Sequence, residues 1–594
     1  MRGGQILNLP RQNAYVLQLK MSSRLNMMNR TAVFYVRLLT ILAFIVICFV
    51  LYSCPLSMVD DQGQITYVKN ISLSQIFLND FFGFFRPVKN ILFCIFMLDK
   101  PWGMHFARIL TFLIALATYF SVSKLLSRIL KSDLWGSIGG GIWLIAPTLL
   151  ATIAWFSCTN IMVMVLFGTL CLNMYIKQKD VDSHKRKYLL LLICLLIFLN
   201  LVSYEGGVSL LAMIFAIDFF LYPEGFKLKR TWINYLYLVI PLVCYSILRD
   251  SVATKAGDSA VKLLVPNTCF DPSITDIQVV LSSAWFTMHH ILLWFLPYGN
   301  QYIIGYYSWG DVSIYTIISC WGIIVGAIFF ALFKKNKFPK VGLAISWIIL
   351  GILPVSNLFP FKNGPYGDYY LAYASIGIVL LLCSICQSIA TSKVKNYLVA
   401  FALGVYVIYL YITTLIWLAA WQTPMIMMER TRTIFPKQIN IFFNEVNYYI
   451  QNGRKDLAKQ VVVEALNSGV EDVKYAVVYN YWLDGKYQEA YDFLETDAQK
   501  NRPNKWSFYF RGYLLSDCLN RADDAIYFYK KAIKYNSRKD GTYINSVNNL
   551  AFIYAQAGDE EKAIELWEDI EPIYHVPAEI RKNIAIAKRA QEKR

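Results

Sequence analysis

The run Thr40–Ser53, TILAFIVICFVLYS, is followed a few residues later by Val59–Ile65, VDDQGQI. Extended upstream, the first stretch becomes an apolar run over 33–53, and about 20 such residues cross a bilayer core as a helix. The second stretch sets two carboxylates, Asp60 and Asp61, side by side where that helix would leave the membrane. Two questions follow: how often the chain crosses, and what the acids face.

Composition supports lipid as a solvent. The 594 residues are 56% hydrophobic and only 16% charged, below the roughly 25% of soluble proteins. The aromatic content suits interfacial Trp and Tyr. The net charge of +17 comes from Lys and Arg between apolar runs, so it reads as topology. With no nucleic-acid motif in the chain, no nucleic-acid partner is expected. Most cysteines, Cys48, Cys94, Cys171, Cys194, Cys244, Cys320, Cys383 and Cys386 among them, lie inside apolar runs without metal-ligand spacing. The CxxC of Cys383 and Cys386 reads as helix packing. Residues 1–30 are polar and basic and carry no small-residue cleavage site, so no cleaved signal peptide is expected.

Apolar runs lie near 33–53, 106–126, 134–150, 159–177, 187–204, 207–222, 233–249, 312–333, 341–358, 370–389 and 396–420, which predicts about eleven spans. Basic clusters fall before residue 33, at 124–131, 177–187, 227–230, 334–340 and 393–395. Eleven spans put all of them on the cytoplasmic side, provided that the run 279–297, with His289 and His290, does not cross. That run reads as an interfacial or re-entrant helix, its histidines meeting headgroups. The acidic pair, the loop 359–369 and everything after 420 then lie outside.

Past Thr431 the pattern changes to amphipathic helices. In NNLAFIYAQAGDEEKAIELWEDI, the residues Leu550, Ala551, Tyr554, Gly558, Ala563 and Trp567 fit the small and large positions of a tetratricopeptide repeat. Ala458, Ala490 and Ala525 mark earlier copies. The expected architecture is all-α. A cytoplasmic segment 1–32 precedes a polytopic membrane bundle at 33–425, and an α-solenoid follows at 426–594 whose groove would take a peptide.

Chemistry outside a membrane needs an activated donor that arrives in the lipid. Lipid-phosphate sugars meet that need. A carboxylate would accept the acceptor's proton, and Arg or Lys would hold the leaving phosphate. Several segments, in order, resemble the transmembrane and tetratricopeptide-repeat O-mannosyltransferases of the GT-C glycosyltransferase class. They are VDDQGQITYVKN, NDFFGFFRPVKNILFCIF, PWGMHFARIL, YEGGVSL, ILPVSNLFP and DYYLAYASIGI. The resemblance implies an inverting transfer from a polyprenyl-phosphate sugar to a protein or glycan hydroxyl, with the repeats positioning the acceptor. It makes Asp60 and Asp61 the acidic pair, one of them the base. Asp80 becomes the loop acid, Arg86 the donor-phosphate contact, His105 the residue at the start of a span, Glu205 the acid between spans, and Asp368 the counterpart of the family's Glu.

The chain also departs from that pattern. APTLLATIAWFSCTN keeps Pro147 and Trp155 where the family has a His-Pro-x-His-x-Glu stretch, but both His and the Glu are missing. Tyr369 replaces an Arg and Tyr204 a Lys. Lys362, in NLFPFKNGPYGDYY, is a candidate for the phosphate contact that Tyr369 cannot make. No resident cofactor is implied, and a divalent metal is left open. The missing signature favours a bacterial inner membrane, with the repeats in the periplasm. It also motivates a second reading, a non-catalytic scaffold whose tail binds a protein.

Overall fold

The computed structural model describes residues 9–56, 61–77, 84–226, 229–255, 276–297, 312–356, 358, 367–434, 439–468, 473–501, 503–535, 541–570 and 578–593. Among these residues there are helices and no strands. The membrane part contains α1 (Leu9–Tyr52), α2 (Asp61–Asn70), α3 (Pro87–Phe96), α4 (Gly103–Leu130), α5 (Asp133–Ile145), α6 (Leu150–Ala154), α7 (Thr159–Lys177) and α8 (Ser183–Ser203). It continues with α9 (Ser209–Leu221), α10 (Pro223–Phe226), α11 (Lys229–Lys255), α12 (Asp276–Phe295), α13 (Ile314–Phe333), α14 (Pro339–Ile352), α15 (Leu371–Ile389) and α16 (Lys393–Gln422).

Local chemistry sets several of these boundaries. The side chains of Ser132, Asp182 and Ser392 accept from the backbone N–H groups of Trp135, Lys185 and Lys395 and so cap α5, α8 and α16. Pro147 offers no N–H and forces Ala146 into extended backbone, which bends α5 from the following segment by 59°. Gly136 and Gly140 lie one turn apart on α5. A Cβ on either would strike Ser127 or Ser123 of α4, so these two helices meet backbone to backbone.

Among the described residues, eight helices are long and apolar enough to cross a membrane, and the bent pair 133–145 and 147–154 would make a ninth. Their length and apolar composition are those of a membrane protein. The eleven expected runs each fall on a helix, but 207–222 and 341–358 do not reach that length. Their helices, α9 and α14, are 13 and 14 residues long. At 1.5 Å per residue these cover about 20 Å, short of a ~30 Å core. The central helices are α7 and α15, largely buried, whereas α1, α11, α13 and α16 turn most of their apolar surface outward.

The two ends of the bundle differ in charge. At one end Lys340 Nζ donates to Leu130 O at 3.0 Å and Gln387 Oε1 at 3.1 Å, and Lys179 pairs with Asp218 at 2.8 Å. Arg128 donates to Asn173 O there, and Lys335 rests over the Phe219 ring. At the other end Tyr52 stacks on His105, Asp61 meets Ser157, and Arg249 lies within electrostatic reach of Glu205. The chain therefore arrives from α11 and departs into α13 at this second end. Between them, α12 accepts at Leu281 O from Trp321 and is followed by Pro297, whose carbonyl accepts from Trp417. His290 is not at a headgroup surface: it is buried, its Nδ1 2.9 Å from Phe286 O.

Beyond α16, α17 (Pro424–Ile434) leads from the Asp61 end into the tail, with Arg430 stacked over Trp417. The expected boundary at 425–426 falls in its first turn. The tail contains α18 (Ile439–Gln451), α19 (Lys455–Asn467), α20 (Lys474–Leu483), α21 (Tyr487–Lys500), α22 (Lys505–Tyr513, extended by a π turn to Cys518), α23 (Ala522–Lys534), α24 (Gly541–Gln556), α25 (Glu560–Ile570) and α26 (Ala578–Lys593). They pack as successive hairpins. Each of the first four hairpin turns has a left-handed residue: Gly453, Gly485, Asn520 and Gly558. Ala458, Ala490, Ala525 and Ala563 are wholly buried where the paired helices touch.

Candidate functional site

The segment Trp155–Cys158 lies where α6 gives way to α7, and it organises one end of the bundle. The Pro147 bend directs it inward, and all four residues are buried. Ser157 donates from its backbone N (2.9 Å) and its hydroxyl (2.7 Å) to the same oxygen of Asp61. Asp61 is itself fully buried at the first turn of α2. There the helix dipole favours a negative charge. Gln64 donates to Asn90 at 2.8 Å, and Asn90 donates to Ile76 O at 3.0 Å, fixing α2 against α3.

Arg108, on α4, is fully buried beside this carboxylate. Its guanidinium sits 4.0 Å over the Phe156 ring and donates to Cys54 O, Pro55 O and Ala154 O. It thus binds the backbone on both sides of the acid: the chain leaving α1 and the end of α6.

A second charged group lies across the Trp155–Cys158 segment. Arg86 precedes α3, and Glu205 lies between α8 and α9. The guanidinium grips the carboxylate with both prongs, Nε to Oε2 at 2.8 Å and Nη2 to Oε1 at 2.5 Å. The arginine also lies 4.1 Å from the Phe84 ring and 4.5 Å from that of Tyr204. Burial by itself would raise the Glu205 carboxyl. The charge and hydrogen bonds of Arg86, helped by Arg249, outweigh it and hold the group below its ordinary value.

Aromatic side chains join the two charged groups. Tyr369 meets Trp155 edge to face at 5.7 Å and Tyr370 at 4.5 Å. Asp368 is buried at the start of the turn carrying both tyrosines. Tyr369 therefore packs against Trp155 within the buried segment.

Four of the eight expected site residues, Asp61, Arg86, Glu205 and Asp368, gather at this end of the bundle. His105 is at the same end but exposed, its ring stacked 4.7 Å from Tyr52. Asp60, Asp80 and Lys362 lie outside the described residues. Arg108, Ser157 and Arg249 belong to the cluster and were not singled out from the sequence. For Arg108 a signal existed: a lone arginine inside an apolar run is expensive in lipid and must find partners. Ser157 and Arg249 had none. Among the described residues, no three His, Cys, Asp or Glu side chains are grouped to hold a metal. No family model, no curated protein and no solved structure matches this chain.

Proposed function

We propose that this protein is a GT-C-type membrane glycosyltransferase that moves a sugar from a polyprenyl-phosphate carrier to a protein or glycan hydroxyl. The acceptor oxygen attacks the anomeric carbon, the bond from that carbon to the phosphate oxygen breaks, and the lipid phosphate leaves with the electron pair. The acceptor's proton passes to a carboxylate of the Asp60/Asp61 pair. Asp61 has its oxygen committed to Ser157, so in this reading it fixes the turn and Asp60 is the base. In this reading Arg86, oriented by Glu205, and Lys362 bind the donor phosphate, and Asp80, His105 and Asp368 bind the substrates.

The observation that carries this reading is the gathering of Asp61, Arg86, Glu205 and Asp368 at the end of the bundle opposite Lys179, Lys335 and Lys340. Basic ends of membrane proteins face the cytoplasm, so the cluster would face the periplasm of a bacterial inner membrane, with 1–32 cytoplasmic. The full eleven-span count keeps α9 and α14 as short spans. The tail would be a tetratricopeptide solenoid that recruits the acceptor. Transfer from a panel of radiolabelled polyprenyl-phosphate sugars, assayed in membranes, should be abolished by Asp60→Asn and reduced by Asp61→Asn. Wild-type membranes that transfer none of the sugars would reject the reading.

A second reading is a non-catalytic scaffold. One observation favours it: Asp61 is fully buried and Arg86 is gripped by Glu205, as in a structural network. Transfer that depends on Asp60 would exclude it.

A further inference from the structure

The walls of an open cleft of about 650 Å³ are Ala212, Phe215, Phe219 and Phe220 of α9, Ile328 and Leu332 of α13, and Ser346, Ile349 and Leu350 of α14. Its lining is apolar apart from the Ser346 hydroxyl. Phe215 and Leu332 are each more than two-fifths exposed, so the cleft opens on the lipid-facing side of the bundle. Helix α13, which forms one wall, has only a few of its residues buried by the rest of the chain.

The cleft has a direction. Phe219, Phe220 and Leu332 stand at the last turns of α9 and α13, at the basic end, while Ala212 and Leu350 mark its inner limit. From Phe220 back to Ala212 the helix rises about 12 Å, close to the ~15 Å depth of a single leaflet's hydrocarbon. An apolar cleft of that depth matches the acyl chain of a lipid in the same leaflet.

A cation sits over the open rim. Lys335 Nζ lies 3.9 Å from the centre of the Phe219 ring, and among the described residues no carboxylate pairs with it. Lys334 and Lys337 are exposed in the same turn. Juxtamembrane lysines of this kind attract anionic lipid. The arrangement is a snorkelling ammonium above an aromatic floor, leading into a cleft one leaflet deep.

We propose that this cleft is a binding site for an anionic phospholipid of the leaflet at the basic end, with an acyl chain between α9, α13 and α14 and the phosphate on Lys335. The site is separate from the Asp61 cluster and does not depend on glycosyl transfer.

The test reconstitutes the full chain in phosphatidylcholine vesicles doped with phosphatidylglycerol that carries a photoactivatable diazirine on its acyl chain. Irradiation should label peptides containing Phe215–Phe220 and Ile328–Leu332. The same probe with a choline headgroup should label them several-fold less. Lys335→Glu, a surface change that spares the fold, should cut labelling by the anionic probe about five-fold or more, on the order of 1 kcal/mol per lysine. Ser346→Trp, which fills the cleft, should remove labelling by either probe. Equal labelling by both headgroups, or labelling indifferent to Lys335→Glu, would overturn the proposal. Displacement of the probe by polyprenyl phosphate would reassign the cleft to the donor lipid, and cross-links between two copies would reassign it to a dimer contact.

Discussion

Arg86 and Glu205 are 119 residues apart in sequence and share one largely buried ion pair. Truncating one partner leaves the other charge without compensation. Glu205→Ala should therefore cost about 3 kcal/mol, read as a fall in thermal unfolding midpoint in detergent. Arg86→Met combined with Glu205→Met should recover much of that loss, because the pair's desolvation cost disappears with it. Asp61→Ala removes the acceptor for both the N–H and the hydroxyl of Ser157. Leaving those donors buried should cost about 2 kcal/mol, whereas Asp61→Asn keeps an acceptor oxygen and should cost less. The sequence showed these residues as acids and bases near the ends of apolar runs. Which of them pair was hidden, because the partners come from different helices and no local spacing encodes the contact.

Among the elements, the tail hairpins repeat one device. Gly453, Gly485, Asn520 and Gly558 occupy left-handed backbone two residues before the second helix of each hairpin begins. Glycine has no Cβ to oppose that conformation, and asparagine tolerates it. Gly485→Ala should destabilise the tail by about 1 kcal/mol, while Asn520→Gly should be neutral or slightly stabilising. Urea unfolding of the full chain followed by tail fluorescence would measure both. This periodicity was legible, since the small residues at 458, 490, 525 and 563 recur around the 34-residue period. The lengths of α9 and α14 were harder to read. In the window 207–222 the apolar letters run on through a 3-10 turn at Glu205–Val208 and up to Tyr222. Composition cannot distinguish a turn made of Val and Gly from the helix it precedes.

For the molecule as a whole, charge is segregated between the two ends of the bundle. A cysteine introduced at Gln62 and one introduced at Lys334, each in a background without native cysteines, should react with an impermeant maleimide from opposite sides of sealed vesicles. Labelling of both from one side would contradict the alternation of the helices. A further test concerns the joint between membrane and tail. Glu445 of α18 is buried beside Arg432 of α17, which also pairs with Glu464 of α19, and Glu429 is near. Burial pushes the Glu445 carboxyl up from 4.5 to about 7, and Glu464 and Glu429 add to the rise against the pull of Arg432. The folded form thus holds its proton more tightly than the unfolded chain. Its contribution is complete below pH 4.5 and is lost as pH rises to about 7, where it levels off. Thermal unfolding of the tail should show that decline, and Glu445→Gln should flatten it.

The sequence by itself determined the helical class, the lipid solvent, the change to hairpins near residue 431 and the gathering of positive charge in alternate loops. These properties are read from runs, periods and signs along a line, which need no knowledge of what lies across the bundle. Tertiary structure alone decided that Trp155–Cys158 is the hub of the cluster, that Asp61 is held by Ser157, and that Arg86 is gripped by Glu205. It also decided that Arg108 ties down the backbone around the acid and that α9, α13 and α14 leave a cleft between them. Each of these is a contact between distant segments, set by which helix faces meet and how closely glycine and serine let their backbones approach.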